Sequence, residues 1–189
     1  MDICKYMFEK TNWKVVSAEV IGTFFLVFFG VSSLTNNVGI SGEENDTFYI
    51  AIGLISLTLT LFVLVHILGP VSGCHLNPVI TIPTFLSDKM DRDTAIAYIC
   101  GQILGASLGF YSFELINPGT NSSIVDGDVA LLLAATVGTT FFVASLLTSQ
   151  DPASIAATLF IVSSTAFGDV NPGVSLANML VTDAEFMFF

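Results

Sequence analysis

Four long stretches of this chain carry almost no charge: Val15 to Leu34, Phe48 to Leu68, Thr94 to Ile116 and Val129 to Thr148. A run of about 20 apolar residues, wound as a helix, crosses the ~30 Å hydrocarbon core of a bilayer. Lipid offers no hydrogen bonds, so each backbone N–H and C=O must find a partner within the protein, and such runs become helices. A fifth run, Ala153 to Phe167, is apolar but short. It would cross only beside longer neighbours or in a thinned bilayer. The composition agrees: 53% of residues are hydrophobic and 11% charged, too apolar for an ordinary soluble domain. The chain is therefore predicted to be an all-α, multi-pass integral membrane protein. Its first fourteen residues are polar and the next stretch is long enough to remain as a span, so no cleavable signal peptide is predicted.

The basic residues orient the spans. All five lie in two places: Lys5, Lys10 and Lys14 before the first span, Lys89 and Arg92 between the second and third. Two full crossings separate them, so they share a side, and positive charge marks that side as cytoplasmic. The N-terminus is then cytoplasmic, and the segments Thr35 to Thr47 and Leu115 to Asp128 face outside. These hold Glu43, Glu44, Asp46, Asp126 and Asp128, together with the sequons Asn45-Asp46-Thr47 and Asn121-Ser122-Ser123. The net charge of −11 reads as solvated loop carboxylates rather than as a site for a cationic partner.

Asn-Pro recurs in matching surroundings. Ser72-Gly73-Cys74-His75-Leu76-Asn77-Pro78-Val79 follows one apolar run, and Phe167-Gly168-Asp169-Val170-Asn171-Pro172-Gly173-Val174 follows another. Asn suits a helix N-cap, where its side chain accepts orphan backbone donors. Pro suits the first helical position, having no N–H to lose and a pre-set φ. Each copy predicts a short helix starting abruptly beside a span, and two such half-helices suggest N-termini meeting near the midplane. A third pair, Asn117-Pro118, precedes Gly119-Thr120-Asn121 and reads as a loop turn.

The halves resemble each other weakly: Ile21-Gly22-Thr23-Phe24-Phe25-Leu26-Val27 against Val137-Gly138-Thr139-Thr140-Phe141-Phe142-Val143. Three spans in the first half would invert the second copy in the membrane. The expectation is one channel domain over 1–189, with a first repeat at about 15–116 and an incomplete second at about 129–189. Gly101, Gly105 and Gly109, spaced by four, form a stripe suited to close contact with a helix of this chain or of another subunit. Cys4, Cys74 and Cys100 have neither a disulfide framework nor metal-ligand spacing. There is no Ser/His/Asp set, no paired carboxylates in a shared pocket and no phosphate-binding loop. No enzymatic activity, cofactor, metal or nucleic-acid partner is predicted.

The chain resembles the aquaporins of the major intrinsic protein family. The resemblance rests on Ala18-Glu19-Val20-Ile21-Gly22-Thr23-Phe24-Phe25, on Ser72 to Thr81, on Ala97-Tyr98-Ile99 with Gln102 and Gly105-Ala106, and on Asn171-Pro172. It is highly specific in the first half and looser in the second. It implies an aquaporin-like inverted repeat with two re-entrant half-helices, usually tetrameric with one pore per subunit. The departures are specific. Val79 and Gly173 stand where the family usually has alanine after Asn-Pro, and Val174 stands where it usually has arginine. Ala135 stands at the place of a second buried glutamate. The stretch from Asp151 to Asn171 is about two helical turns short of the resemblance, and no sixth span follows Leu180. The chain is expected either to be naturally truncated or to be part of a longer one.

The resemblance implies passage of water, with Asn77 and Asn171 donating to its oxygen between two electropositive helix ends. Backbone carbonyls of Gly73 to Leu76 and of Phe167 to Val170 would line the approaches. By offset from the signatures, Leu57, Leu159, Gly168 and Val174 form the outer constriction, apolar and lacking a guanidinium, with Asp169 beside it. That implies a looser filter admitting water and small neutral solutes such as glycerol or hydrogen peroxide. Asp169 serves equally well as a simple cap. Glu19, ionisable within a span, is expected to hold the first half-helix loop. Cys74 and His75 are candidates for the pore wall, though packing alone explains either. The rival readings are a non-conducting aquaporin-like assembly protein and, with less support, an ion-coupled transporter.

Overall fold

The structure is a computed structural model, and it describes residues 12–31, 33, 46–116, 129–149, 151–165 and 171–186. The described residues are helical almost throughout. In chain order the helices are α1 (Trp13–Phe25, continued by a π-turn over Leu26–Val31), α2 (Asp46–Ser72), α3 (Pro78–Leu86), α4 (Arg92–Ile116), α5 (Val129–Thr148), α6 (Pro152–Thr165) and α7 (Pro172–Phe186). Among the described residues, Trp13–Val31, Ala51–Ser72 and Arg92–Ile116 are long and apolar enough to cross a membrane. Thr136–Thr148, Pro152–Ser164 and Pro172–Val181 are shorter apolar stretches. The expected end of the second span at Leu68 moves: α2 runs through Gly69-Pro70 to Ser72. A proline costs a helix one N–H and crowds one carbonyl, and here the Gly73 N–H closes the following turn on Gly69 O at 2.9 Å.

Helix starts follow from local chemistry. Asn12 accepts from Lys14 N at 3.2 Å to begin α1. Asp91 begins α4 by accepting from Thr94 N at 3.0 Å and Thr94 Oγ1 at 2.7 Å. Asp151 begins α6 the same way, from Ser154 N at 2.9 Å and Ser154 Oγ at 2.8 Å. The hydrogen bonds from Thr94, side chain then backbone, hold the Asp91 carboxyl below its ordinary range, and those from Ser154 do so for Asp151.

The glycine stripe of α4 lies against α1. A Cβ at Gly105 would run into the Val20 carbonyl, and one at Gly109 would stand 2.9 Å from Phe24 O. Of the two contacts open to that stripe, the structure uses a helix of the same chain. α2 packs on α1 and α6, α5 packs on α6, and α3 and α7 both lie against α4. At the π-turn, Ser56 of α2 donates to Phe29 O at 2.9 Å. There Gly30 leaves room for Leu57, whose Cδ1 would be 2.8 Å from an added Cβ.

Candidate functional site

α2 and α3 are joined by Gly73 to Asn77, and this link is wound the unusual way. Gly73, Cys74 and Leu76 have φ of 81°, 50° and 50°, left-handed values that cost a non-glycine residue about 1–2 kcal/mol. Glu19 holds them there. Its Oε1 accepts from Ser72 Oγ at 2.7 Å and His75 N at 3.0 Å. Its Oε2 accepts from Leu76 N at 2.7 Å and Gln102 Nε2 at 2.8 Å. Four donors match the acceptor capacity of a carboxylate, and the side chain is fully buried. Ser72 Oγ also accepts from Cys74 N at 3.1 Å, and Tyr98 donates to Ser72 O at 2.9 Å. α3 then starts on Asn77, whose Oδ1 accepts from Val79 N at 2.9 Å with Pro78 next in line.

The second signature is built on the first. Asn171 Oδ1 accepts from Gly173 N at 3.2 Å and Val174 N at 3.3 Å, which caps α7. Its Nδ2 donates to Leu76 O at 2.9 Å. A Cβ on Gly173 would lie 2.9 Å from Pro78 Cδ, so the alanine the family usually carries there would press on the proline ring of the other half-helix. The two Asn-Pro starts are thus in direct contact, with the N-termini of α3 and α7 brought together. Each carries about half a positive charge from aligned peptide dipoles.

The remaining candidates divide into groups. Cys74, Leu57 and Leu159 share one buried apolar cluster with Leu26, Leu64 and Phe142. Val174 sits in another, with Val27, Ala106 and Phe110, because the first turn of α7 lays Val174 and Ala177 on α4. His75 is half-buried, with Nδ1 3.1 Å from Thr81 Oγ1 and its ring edge-on to Tyr98 at 5.4 Å. Gly168 and Asp169 lie outside the described residues. Among the described residues no three His, Cys, Asp or Glu side chains gather to hold a metal.

Sequence reasoning gave no role to Gln102, Tyr98 or Thr81, which complete the cluster. Gln102 Nε2 reaches Thr81 Oγ1 at 3.1 Å as well as Glu19. Its Oε1 is buried with no hydrogen-bond partner among the described residues. The available signal was the spacing of Tyr98 and Gln102, four apart on the glycine-bearing helix and so on one face.

Comparison with known proteins finds one family. A family profile described as "Major intrinsic protein" matches residues 7–155. Aquaporin AqpM of Methanothermobacter marburgensis is 35% identical over 109 residues, covering 51% of this chain and 44% of that protein. Aquaporin-4 of Mus musculus is 35% identical over 125 residues, 65% of this chain and 36% of that protein. The lens fiber major intrinsic protein of Lithobates pipiens is 32% identical over 119 residues, 63% and 41% respectively. The chain spans less than half the length of these relatives.

Proposed function

The chain belongs to the major intrinsic protein family, and on that premise we propose that it forms a passive channel for water and for small neutral solutes such as glycerol or hydrogen peroxide. The observation that carries this reading is the joined pair of Asn-capped helix starts, tied by Asn171 Nδ2 to Leu76 O at 2.9 Å. Two electropositive helix ends placed together repel cations and break a protonated water chain. A water that accepts from the Asn77 and Asn171 amides turns its hydrogens away from the centre, toward the carbonyls of 73–76 on one side. In this proposal Leu57 and Leu159 belong to the apolar outer constriction and Cys74 and His75 border the inner approach, whereas Val174, packed with Val27, Ala106 and Phe110, is set apart from it. The channel domain is taken as 1–189, with repeats at about 15–116 and 129–189. The N-terminus is cytoplasmic, and the assembly is a homotetramer as in the family.

Burial favours one alternative. Asn77 and Asn171 are only 4% and 7% exposed, and Cys74 and Val174 only 3% and 2%. So tight a centre suits a non-conducting assembly protein that keeps the fold. Osmotic swelling of proteoliposomes separates the two. The channel reading expects swelling faster than in empty vesicles, slowed by Asn77→Asp and by Asn171→Asp. A rate equal to empty vesicles removes the channel and leaves the alternative.

A further inference from the structure

Leu76 is held from three directions, and two of them come from one turn of α1. Its N–H goes to Glu19 Oε2 at 2.7 Å and its carbonyl receives Asn171 Nδ2 at 2.9 Å. Its side chain, 1% exposed, fills a notch at Gly22: a Cβ there would stand 2.5 Å from Leu76 Cδ2 and 2.7 Å from Leu68 Cδ1. Glu19 and Gly22 are three residues apart and therefore share a helix face. The carboxylate fixes the peptide N–H while the notch fixes the side chain, and between them they aim the carbonyl. Leu76 is left-handed, with φ of 50°, and its N–H and carbonyl lie in the two peptide planes that meet at its Cα, so displacing the side chain moves that Cα and turns the carbonyl. Leu68 is only half-buried and can swing aside, whereas Leu76 is enclosed.

We propose that Gly22 is a positioning residue of the pore: by admitting Leu76 it sets the carbonyl that orients the Asn171 carboxamide, so the first span governs the donor of the second half-helix. This rests on the channel reading for its effect on selectivity, but not for its effect on geometry. A shape-complementary pair tests it. Gly22→Ala intrudes on Leu76, Leu76→Ala opens space without placing a β-branched residue at a left-handed φ, and the double variant removes the clash. Each protein is reconstituted, and water flux is read by light scattering and proton flux by a trapped pH-sensitive dye. Gly22→Ala is expected to raise the proton-to-water flux ratio about fivefold, the weight of one net hydrogen bond, and the double variant to return it to near the native value. A merely structural role would lower the yield of folded protein without moving this ratio.

The second readout does not need conduction. In protein labelled with ¹⁵N-asparagine, the Asn171 side-chain amide resonance, assigned by its loss in Asn171→Asp, is expected to shift in Gly22→Ala and return in the double variant. An unmoved resonance overturns the proposal, as does a shifted resonance with an unchanged flux ratio. If the native protein passes no water while the resonance shifts and returns, the positioning role of Gly22 stands and the channel reading falls. Should Gly22→Ala fail to fold, the same comparison is made from Leu76→Ala to the double variant.

Discussion

Replacing Gly105 by alanine should destabilise the protein, although alanine is the better helix former. In an exposed helix the change gains about 1 kcal/mol. Here the new methyl would run into the Val20 carbonyl oxygen and stand 3.1 Å from Phe24 N. Both are backbone atoms within α1, so no side chain can rotate to make room and the two helices must part. Overpacking of this kind costs about 1–3 kcal/mol. Parting α1 from α4 also loosens Gly109 and stretches the bond from Gln102 to Glu19. The net expectation is a loss of up to about 2 kcal/mol after the propensity gain. Gly69 is the control, since a Cβ there meets nothing within 4 Å. Because Pro70 follows and restricts the residue before it, the gain at Gly69 stays below about 1 kcal/mol. The assay is unfolding in mixed micelles, followed by the fluorescence of Trp13, the chain's one tryptophan. If Gly105→Ala raised the midpoint as much as Gly69→Ala, the reasoning that places these backbones in contact would be refuted.

Glu19→Gln leaves one acceptor oxygen where two now serve Ser72, His75, Leu76 and Gln102. At least one buried N–H loses its partner, at about 1–3 kcal/mol; the unfolding midpoint should fall and amide exchange at 75–76 accelerate, and an unchanged pair of readings counts against the clamp. For Asp91, the Thr94 hydrogen bonds lower the folded carboxyl below its reference value of 3.8. The stability this adds is complete above that value and disappears as pH falls through the lower folded one. A melting series from neutral pH to about 3 should therefore bend downward at its acid end, and Thr94→Val should flatten that bend. An identical bend in Thr94→Val would assign it to another carboxyl.

What the sequence made legible was whatever the bilayer or a helix cap dictates locally. Spans followed from apolar length, and the helix starts at 78 and 172 from Asn-Pro chemistry. The end of α2 was not legible, because Gly-Pro is a general stop signal. Here the helix continues past the pair, and the Gly73 N–H still reaches back to Gly69. The partner of the glycine stripe was undecidable too, since a stripe reports close approach but not to what. The cluster around Glu19 was half legible. A carboxylate inside a span announces itself, but Gln102 and Thr81 are ordinary polar residues until folding brings Gln102 to that carboxylate across 83 residues of sequence and Thr81 to Gln102 across 21. The separation of Val174 from Leu57 and Leu159 depends on how α7 rolls on α4. No local pattern in the chain encodes that angle.

The two halves are held by different means, and this gives the departures in the second a common cause. The first link has its own acid, Glu19, which occupies the N–H groups of His75 and Leu76. At the corresponding place in the second half the sequence has Ala135, which can accept nothing through its side chain. The second half-helix is seated on the first half instead: Asn171 on the Leu76 carbonyl, Gly173 on the Pro78 ring, and Val174 with Ala177 among the residues of α1 and α4. The first contact uses the signature asparagine itself, and the others use residues that depart from the usual signature or lie beyond it. Glycine at 173 lets the proline ring approach, and valine at 174 suits an apolar seat among Val27, Ala106 and Phe110, where burying a guanidinium would be costly. The second half-helix therefore inherits its position from the first. Perturbations of α1, which touches no proposed permeant, are expected to register at Asn171 before changes in α5 or α6 do.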